Sequence, residues 1–256
     1  MSGIEASRLA VAALLVGGLG AVPAACGGDD SDGELVVSAA ASLSDAFPAY
    51  AEGAGYEHAR FSFAGSDELA AQIRQGATPD VYAAANTSLP QDLHAEGLLG
   101  RPVSFATNRL VLAVPSGSPG VRSLDELTEP GTPIAIGDED VPIGIYTREV
   151  LDRLPASQSS AILANVRSSE PDVLGIAAKL TQGAVDAGFV YRSDVSASEG
   201  RLESIELPAQ LRPGVAYAAG VVAGSRRRDE AAEFVDGLLS SEGQTALREA
   251  GFLPPQ

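Results

Sequence analysis

From Glu34 onward, short apolar runs alternate with amphipathic stretches, and this rhythm restricts the possible folds more than any other feature of the chain. ELVVS reads as a strand and SLSDAFPAYAEG as a helix that closes at Gly53. ARFSFA and DVYAAA are further strands. Each is followed by a helix, SDELAAQIRQG ending at Gly76 and SLPQDLHAEG ending at Gly97. NRLVLAVP (108–115) is a longer apolar strand. A second series opens at PIAIGD (133–138). It continues through a helix from Pro142 to Leu154, strand NVRSS, helix PDVLGIAAKLTQG and strand DAGFVYRSD. AYAAGVVAG (216–224) is a late strand, and two helices near 226–240 and 241–250 finish the chain. Such alternation implies mostly parallel sheets with helices on both faces. With 256 residues the chain has room for two α/β lobes.

The first 33 residues do not join this pattern. Arg8 precedes LAVAALLVGGLGAVPAAC, an apolar run too short for a membrane span that ends in small residues, as a secretory signal does. Cys26 is the only cysteine, so no intrachain disulfide can form. Its place after small residues resembles a bacterial lipobox, in which the cysteine is acylated and the preceding peptide removed. Pro23 stands where that pattern has leucine or a similar residue. The expected organisation is a signal segment over 1–26, a flexible tether GGDDSDG over 27–33 and the folded part from Glu34. The protein is then exported, with the membrane touched only through a lipid on Cys26.

Composition removes several classes of function. The formal charge is −17, which excludes a nucleic-acid partner, since neutralising phosphates requires a basic face. Aromatic residues are 5% of the chain and Trp is absent, which argues against a platform for stacking sugars or single-stranded bases.

In sheets of this type ligands bind beyond the carboxyl ends of strands, where helices begin. Several such corners stand out: AAASL around Ser42, AGSDEL around Ser66, GDEDVPIGIY (137–146), SSEPDV (168–173) and GFVYRSD (188–194). A helix N-terminus carries free N–H groups and a partial positive charge, and so accepts a small anion. Ser42 has two readings. As an N-cap with Asp45 three residues on, it has capping-box spacing. As a ligand group, its hydroxyl and the following N–H groups face an oxyanion, and the neighbouring alanines allow close approach. Ser66 has the same two readings. Tyr191 is either a core residue at a strand end or the source of an O–H for the same anion.

In this order and spacing, AAASLSDAF, FAGSDELAAQIRQGATPDVYAAAN, NRLVLAVP, VPIGIYTREVL and QGAVDAGFVYRSDV resemble the molybdate-binding proteins, the solute receptors of ATP-driven molybdate importers. The resemblance runs from Glu34 to the C-terminus. It implies a two-lobed periplasmic-binding-protein-like fold of type II, each lobe a mixed, mostly parallel sheet flanked by helices, with the ligand in the cleft between them. The lobes fall at 34–109 with 216–256, and at 110–215. The resemblance further implies that Ser42, Ser66 and Tyr191 supply hydroxyls and that Ile143 and Val173 supply backbone N–H groups to molybdate or tungstate. No cofactor and no cation site are implied. The expected partners are a membrane permease and its ATPase, and the receptor is monomeric. The chain departs from the family at Ile143, where relatives have alanine. It departs again at Asp67-Glu68, where they have small neutral residues; carboxylates facing the cleft there would repel an anion.

Two other readings stay open: a receptor of the same fold for another small oxyanion, and a surface interaction protein that kept the fold without the ligand. Catalysis is not expected. No G-x-S-x-G elbow surrounds either serine, and His58 and His94 lie away from the motifs. GDEDVP holds three acids but lacks the register of a calcium loop.

Overall fold

The computed structural model describes residues 33–118 and 120–256. The expected signal segment, the lipidation at Cys26 and all but the last residue of the tether lie outside the described residues. The folded part, Glu34–Gln256, holds two five-stranded sheets.

The first sheet contains β1 (Val36–Ala40), β2 (Arg60–Ala64), β3 (Val81–Ala84), β4 (Val103–Asn108) and, from the far end of the chain, β10 (Val215–Val221), in the order β2-β1-β3-β10-β4. β1 runs parallel to β2 and β3, whereas β10 runs antiparallel between β3 and β4. The second sheet repeats the plan with β5 (Leu110–Pro115), β6 (Ile134–Gly137), β7 (Val166–Glu170), β8 (Ala187–Tyr191) and β9 (Leu202–Glu206), in the order β7-β6-β8-β5-β9. β6 is parallel to β7 and β8, and β5 is antiparallel to β8 and β9. Each sheet is therefore mixed, with its parallel half where the strand–helix rhythm lies and its antiparallel half where the chain enters and leaves. β3, β6 and β8 are buried at every position. Strands covered on both faces read as continuous apolar runs, which is why VYAA, IAIG and AGFVY are visible in the sequence.

Helices follow the strands as expected at α1 (Ala46–Gly53), α2 (Ser66–Arg74), α3 (Ser88–Ala95), α4 (Pro142–Asp152) and α6 (Val173–Thr181), and α8 (Arg228–Gly237) and α9 (Ser241–Glu249) close the chain. Their apolar faces meet an aromatic core in the first sheet, where the Phe47 ring lies 5.7 Å from both Phe105 and Phe234. Four elements are additional to the expected set: α5 (Ala156–Ala164), α7 (Arg192–Ala197), β4 and β9. The two strands lie at sheet edges, where one side is wet and polar residues interrupt the apolar pattern. DAGFVYRSD is not one strand. It stops at Tyr191, and α7 starts at Arg192.

NRLVLAVP is likewise divided. Asn108 ends β4 in the first sheet, Leu110 begins β5 in the second, and Arg109 alone joins them. The chain crosses back between Glu206 and Val215. The parallel strands of both sheets end at these crossings' common side, so their helix mouths face one another.

Candidate functional site

After β1 the chain makes a 3₁₀ turn, Ala41–Leu43, before α1 starts at Ala46. Ser42 sits in that turn, buried, and makes no capping bond. The N-cap reading of Ser42 is therefore corrected. Its Oγ lies 2.9 Å from the hydroxyl of Tyr217 on β10, 175 positions away. Ser66 is the first residue of α2, with Gly65 in the N-cap position, so it too is not a cap. Its Oγ accepts the Ala85 N–H at 3.1 Å, from the end of β3, and its carbonyl accepts the Tyr82 hydroxyl at 2.7 Å. Since a lone pair of Ser66 is occupied by an N–H, the single Ser66 proton is left for another acceptor.

The second sheet contributes from the opposite side. The N–H ladder of α4 begins with Ile145 N–H to Val141 O at 2.9 Å, which leaves the Ile143 N–H ahead of it without an acceptor in its own helix. Asp172 caps α6 by accepting the Gly175 N–H at 2.9 Å, and Val173 follows as the first helical residue. Tyr191 ends β8.

All five candidate residues, Ser42, Ser66, Ile143, Val173 and Tyr191, line one cavity of about 20 Å³. That is far smaller than the ~300–1,000 Å³ of pockets for drug-sized ligands. Alanines 40, 41, 64 and 85 make up much of the remaining wall, so backbone lies close to the interior. The lining contains no arginine or lysine, and its single carboxylate, Asp172, is engaged in its capping bond.

The Tyr191 hydroxyl is buried with no hydrogen-bond partner among the described residues. A buried polar atom without a partner costs roughly 1–3 kcal/mol. Burial pushes this phenol well above its ordinary value, helped by the nearby Tyr217, Tyr146 and Asp194, so it stays protonated and presents a donor. Behind it, burial raises the Asp194 carboxyl to about 8, with Asp45 and Asp172 adding to the rise, although the Tyr191 N–H donates to it at 2.8 Å.

Both departures noted in the sequence find a place. A Cβ on Gly137 would lie 2.6 Å from Ile143 Cγ2 and 2.6 Å from the Gly144 nitrogen. The branched methyl of Ile143 thus occupies room that a side chain at 137 would take. Glu68 is exposed and accepts the Gln72 side-chain N–H at 3.1 Å. Asp67 does not line the cavity, although its Oδ1 is buried without a partner among the described residues. Sequence reasoning missed Tyr217, Asn108, Gly137 and Gly144. The spacing of the two glycines around a predicted helix mouth was a usable signal for the last pair. Nothing local marks Tyr217.

A family model for bacterial extracellular solute-binding proteins matches residues 35–253. The molybdate-binding protein ModA of Mycobacterium tuberculosis is 35% identical over 257 residues, covering 96% of each chain. ModA of Escherichia coli is 29% identical over 233 residues, 86% of this chain and 89% of that one. The solved periplasmic molybdate-binding protein of Azotobacter vinelandii superposes with a TM-score of 0.77 at 23% identity, covering 87% of this chain and all of its own, a likeness of fold.

Proposed function

The chain belongs to the bacterial extracellular solute-binding proteins, among their molybdate-binding members, and we propose accordingly that it receives molybdate, and tungstate with it, outside the membrane and delivers the anion to an ABC permease driven by an ATPase. It is a solute-binding protein rather than an enzyme. The observation that carries the ligand class is the unpartnered Tyr191 hydroxyl at a small cavity walled by helix mouths and free of cationic side chains.

A site of this kind holds an anion by dipoles. Ser42, Ser66 and Tyr191 donate O–H groups, and Ile143 and Val173 donate N–H groups. Hydrogen bonds to a charged acceptor contribute ~1.5–3 kcal/mol each, so these donors together supply a gross gain on the order of 10 kcal/mol. Ordering and desolvation take back a large part. Fixed neutral donors reward the right oxygen spacing, whereas a point charge attracts any dianion. Molybdate and tungstate are nearly equal in size and sulfate is smaller, so the first two are accepted together and the third is disfavoured. Donors from both sheets meet in one cavity, and a bound anion therefore favours the closed arrangement of the lobes. In this reading Cys26 carries the lipid anchor, the receptor works as a monomer, and no cofactor takes part.

Calorimetric titration of the purified protein with molybdate, tungstate and sulfate at physiological salt tests the reading. The expected result is binding of molybdate and tungstate on the order of micromolar or tighter, with sulfate at least about a hundredfold weaker. Sulfate binding as tightly as molybdate would assign the site to another oxyanion. No heat with any of the three would leave a surface protein that does not use the cavity.

A further inference from the structure

Of the three hydroxyls at the cavity, two have their surroundings decided already: Ser66 accepts an N–H, and Tyr191 is free to donate. Ser42 differs, because its partner is another hydroxyl and either oxygen can be the donor. The direction matters. If Ser42 donates to Tyr217, its one proton is used and it turns only lone pairs toward the cavity, which repels an anion. If Tyr217 donates to Ser42, the Ser42 proton is left for the anion.

The groups behind Tyr217 select the second direction. Asn108, at the point where the chain leaves the first sheet, accepts the Arg109 N–H through Oδ1 at 2.8 Å. That bond orients the amide so that its NH₂ faces inward. Nδ2 donates to Ser193 Oγ at 2.9 Å, so both ends of the amide are engaged locally. Tyr217 is wholly buried, and its hydroxyl has Ser42 Oγ at 2.9 Å as its hydrogen-bond partner among the described residues. A buried hydroxyl whose proton finds no acceptor costs free energy, so the Tyr217 proton goes to Ser42, and the Ser42 proton, at the cavity wall, is left for the anion. The Tyr217 ring is held edge-on by Phe252 at 5.2 Å, Tyr191 at 5.8 Å and Phe105 at 6.2 Å. Chained hydrogen bonds polarise one another, so the last donor in the row strengthens.

We propose that Tyr217 is a positioning residue for oxyanion binding: in a short relay its hydroxyl donates to Ser42 Oγ and so turns the Ser42 hydroxyl toward the cavity as a donor. The inference rests on the proposed function. It adds a residue outside the cavity lining whose hydroxyl acts on the anion through Ser42.

The test is a double-mutant cycle in molybdate titrations with the wild type, Ser42→Ala, Tyr217→Phe and the double variant. Tyr217→Phe keeps the ring and removes only the hydroxyl. The expected result is a loss of about tenfold for each single change, with the double variant no weaker than Ser42→Ala alone. A purely structural role of Tyr217 would lower the melting temperature yet leave its effect on affinity intact in the Ser42→Ala background. Tyr217→Phe leaves the ring's edge-on contacts in place, and a thermal melt of each variant establishes that it is folded before titration. Wild-type affinity in Tyr217→Phe, or losses that multiply in the double variant, overturns the relay and leaves the proposed function standing. A wild type that binds none of the oxyanions overturns the proposed function and the relay with it.

Discussion

Among single residues, local rules and tertiary contacts compete for the same atoms. Ser42 has the spacing of a helix cap, but a 3₁₀ turn intervenes and its hydroxyl finds Tyr217 instead. Asp194 shows a similar conflict. It holds the end of β8 by accepting the Tyr191 N–H, in a buried place with Asp45 and Asp172 nearby. Burial, with those charges, lifts its carboxyl from 3.8 to about 8. The folded state then binds a proton that the unfolded state has lost, so stability is highest below the unfolded value and falls as pH rises from about 4 to about 8. The loss is on the order of a few kcal/mol, since each tenfold change in proton affinity corresponds to about 1.4 kcal/mol. For a chain of this size that is roughly 10 °C in melting temperature. Asp194→Asn keeps an acceptor for the N–H and removes the titration. The melting temperature of this variant should change less between pH 4 and pH 8 than that of the wild type. An equally steep fall in both proteins would mean that Asp194 stays ionised in the fold.

Among the elements, the site depends on how closely α4 approaches the end of β6. Gly144 lies against the carbonyls of Asp138 and Gly137, and a Cβ there would stand 1.7 Å from the Asp138 oxygen. No rotamer relieves a clash between a Cβ and backbone, so Gly144→Ala must push the helix mouth away. Urea unfolding of this variant should show a loss of about 1–3 kcal/mol or more, and molybdate affinity should fall with it because the Ile143 N–H moves. Unchanged stability would show that the loop 138–141 yields freely. The elements themselves differ in how far they can be read from the sequence. β3, β6 and β8 announce themselves because both faces are covered. β4 and β9 do not, because an edge strand needs apolar residues on one side only. The short helix α7 hides behind the strand that precedes it.

In the molecule as a whole, the two sheets meet across Gly65 and Pro171. A Cβ on Gly65 would lie 2.6 Å from the Pro171 carbonyl oxygen and 2.9 Å from Asp67 Oδ1, in a residue whose φ of −55° suits any side chain. The Asp67 carboxylate, at the end of a flexible side chain, can give way where the Pro171 backbone cannot, so Gly65→Ala should fold and resist chiefly the approach of one lobe to the other. Affinity for molybdate should drop at least about tenfold with little change in melting temperature. Small-angle scattering with saturating molybdate should give a larger radius of gyration than the wild type. Wild-type affinity would mean that the lobes hold the anion without this contact. The alternation of strands and helices, the helix mouths and the five positions that line the cavity were legible in the chain itself. The first two depend on neighbours a few residues away, and the five positions came with the resemblance that also indicated the family. That these mouths share one cavity, that the chain changes sheets at Arg109, that Gly137 makes room for Ile143 and that Tyr217 stands behind Ser42 became visible only in three dimensions. Those are contacts between segments brought together by folding, and what selects them is the packing of two sheets and their helices, which no local pattern records.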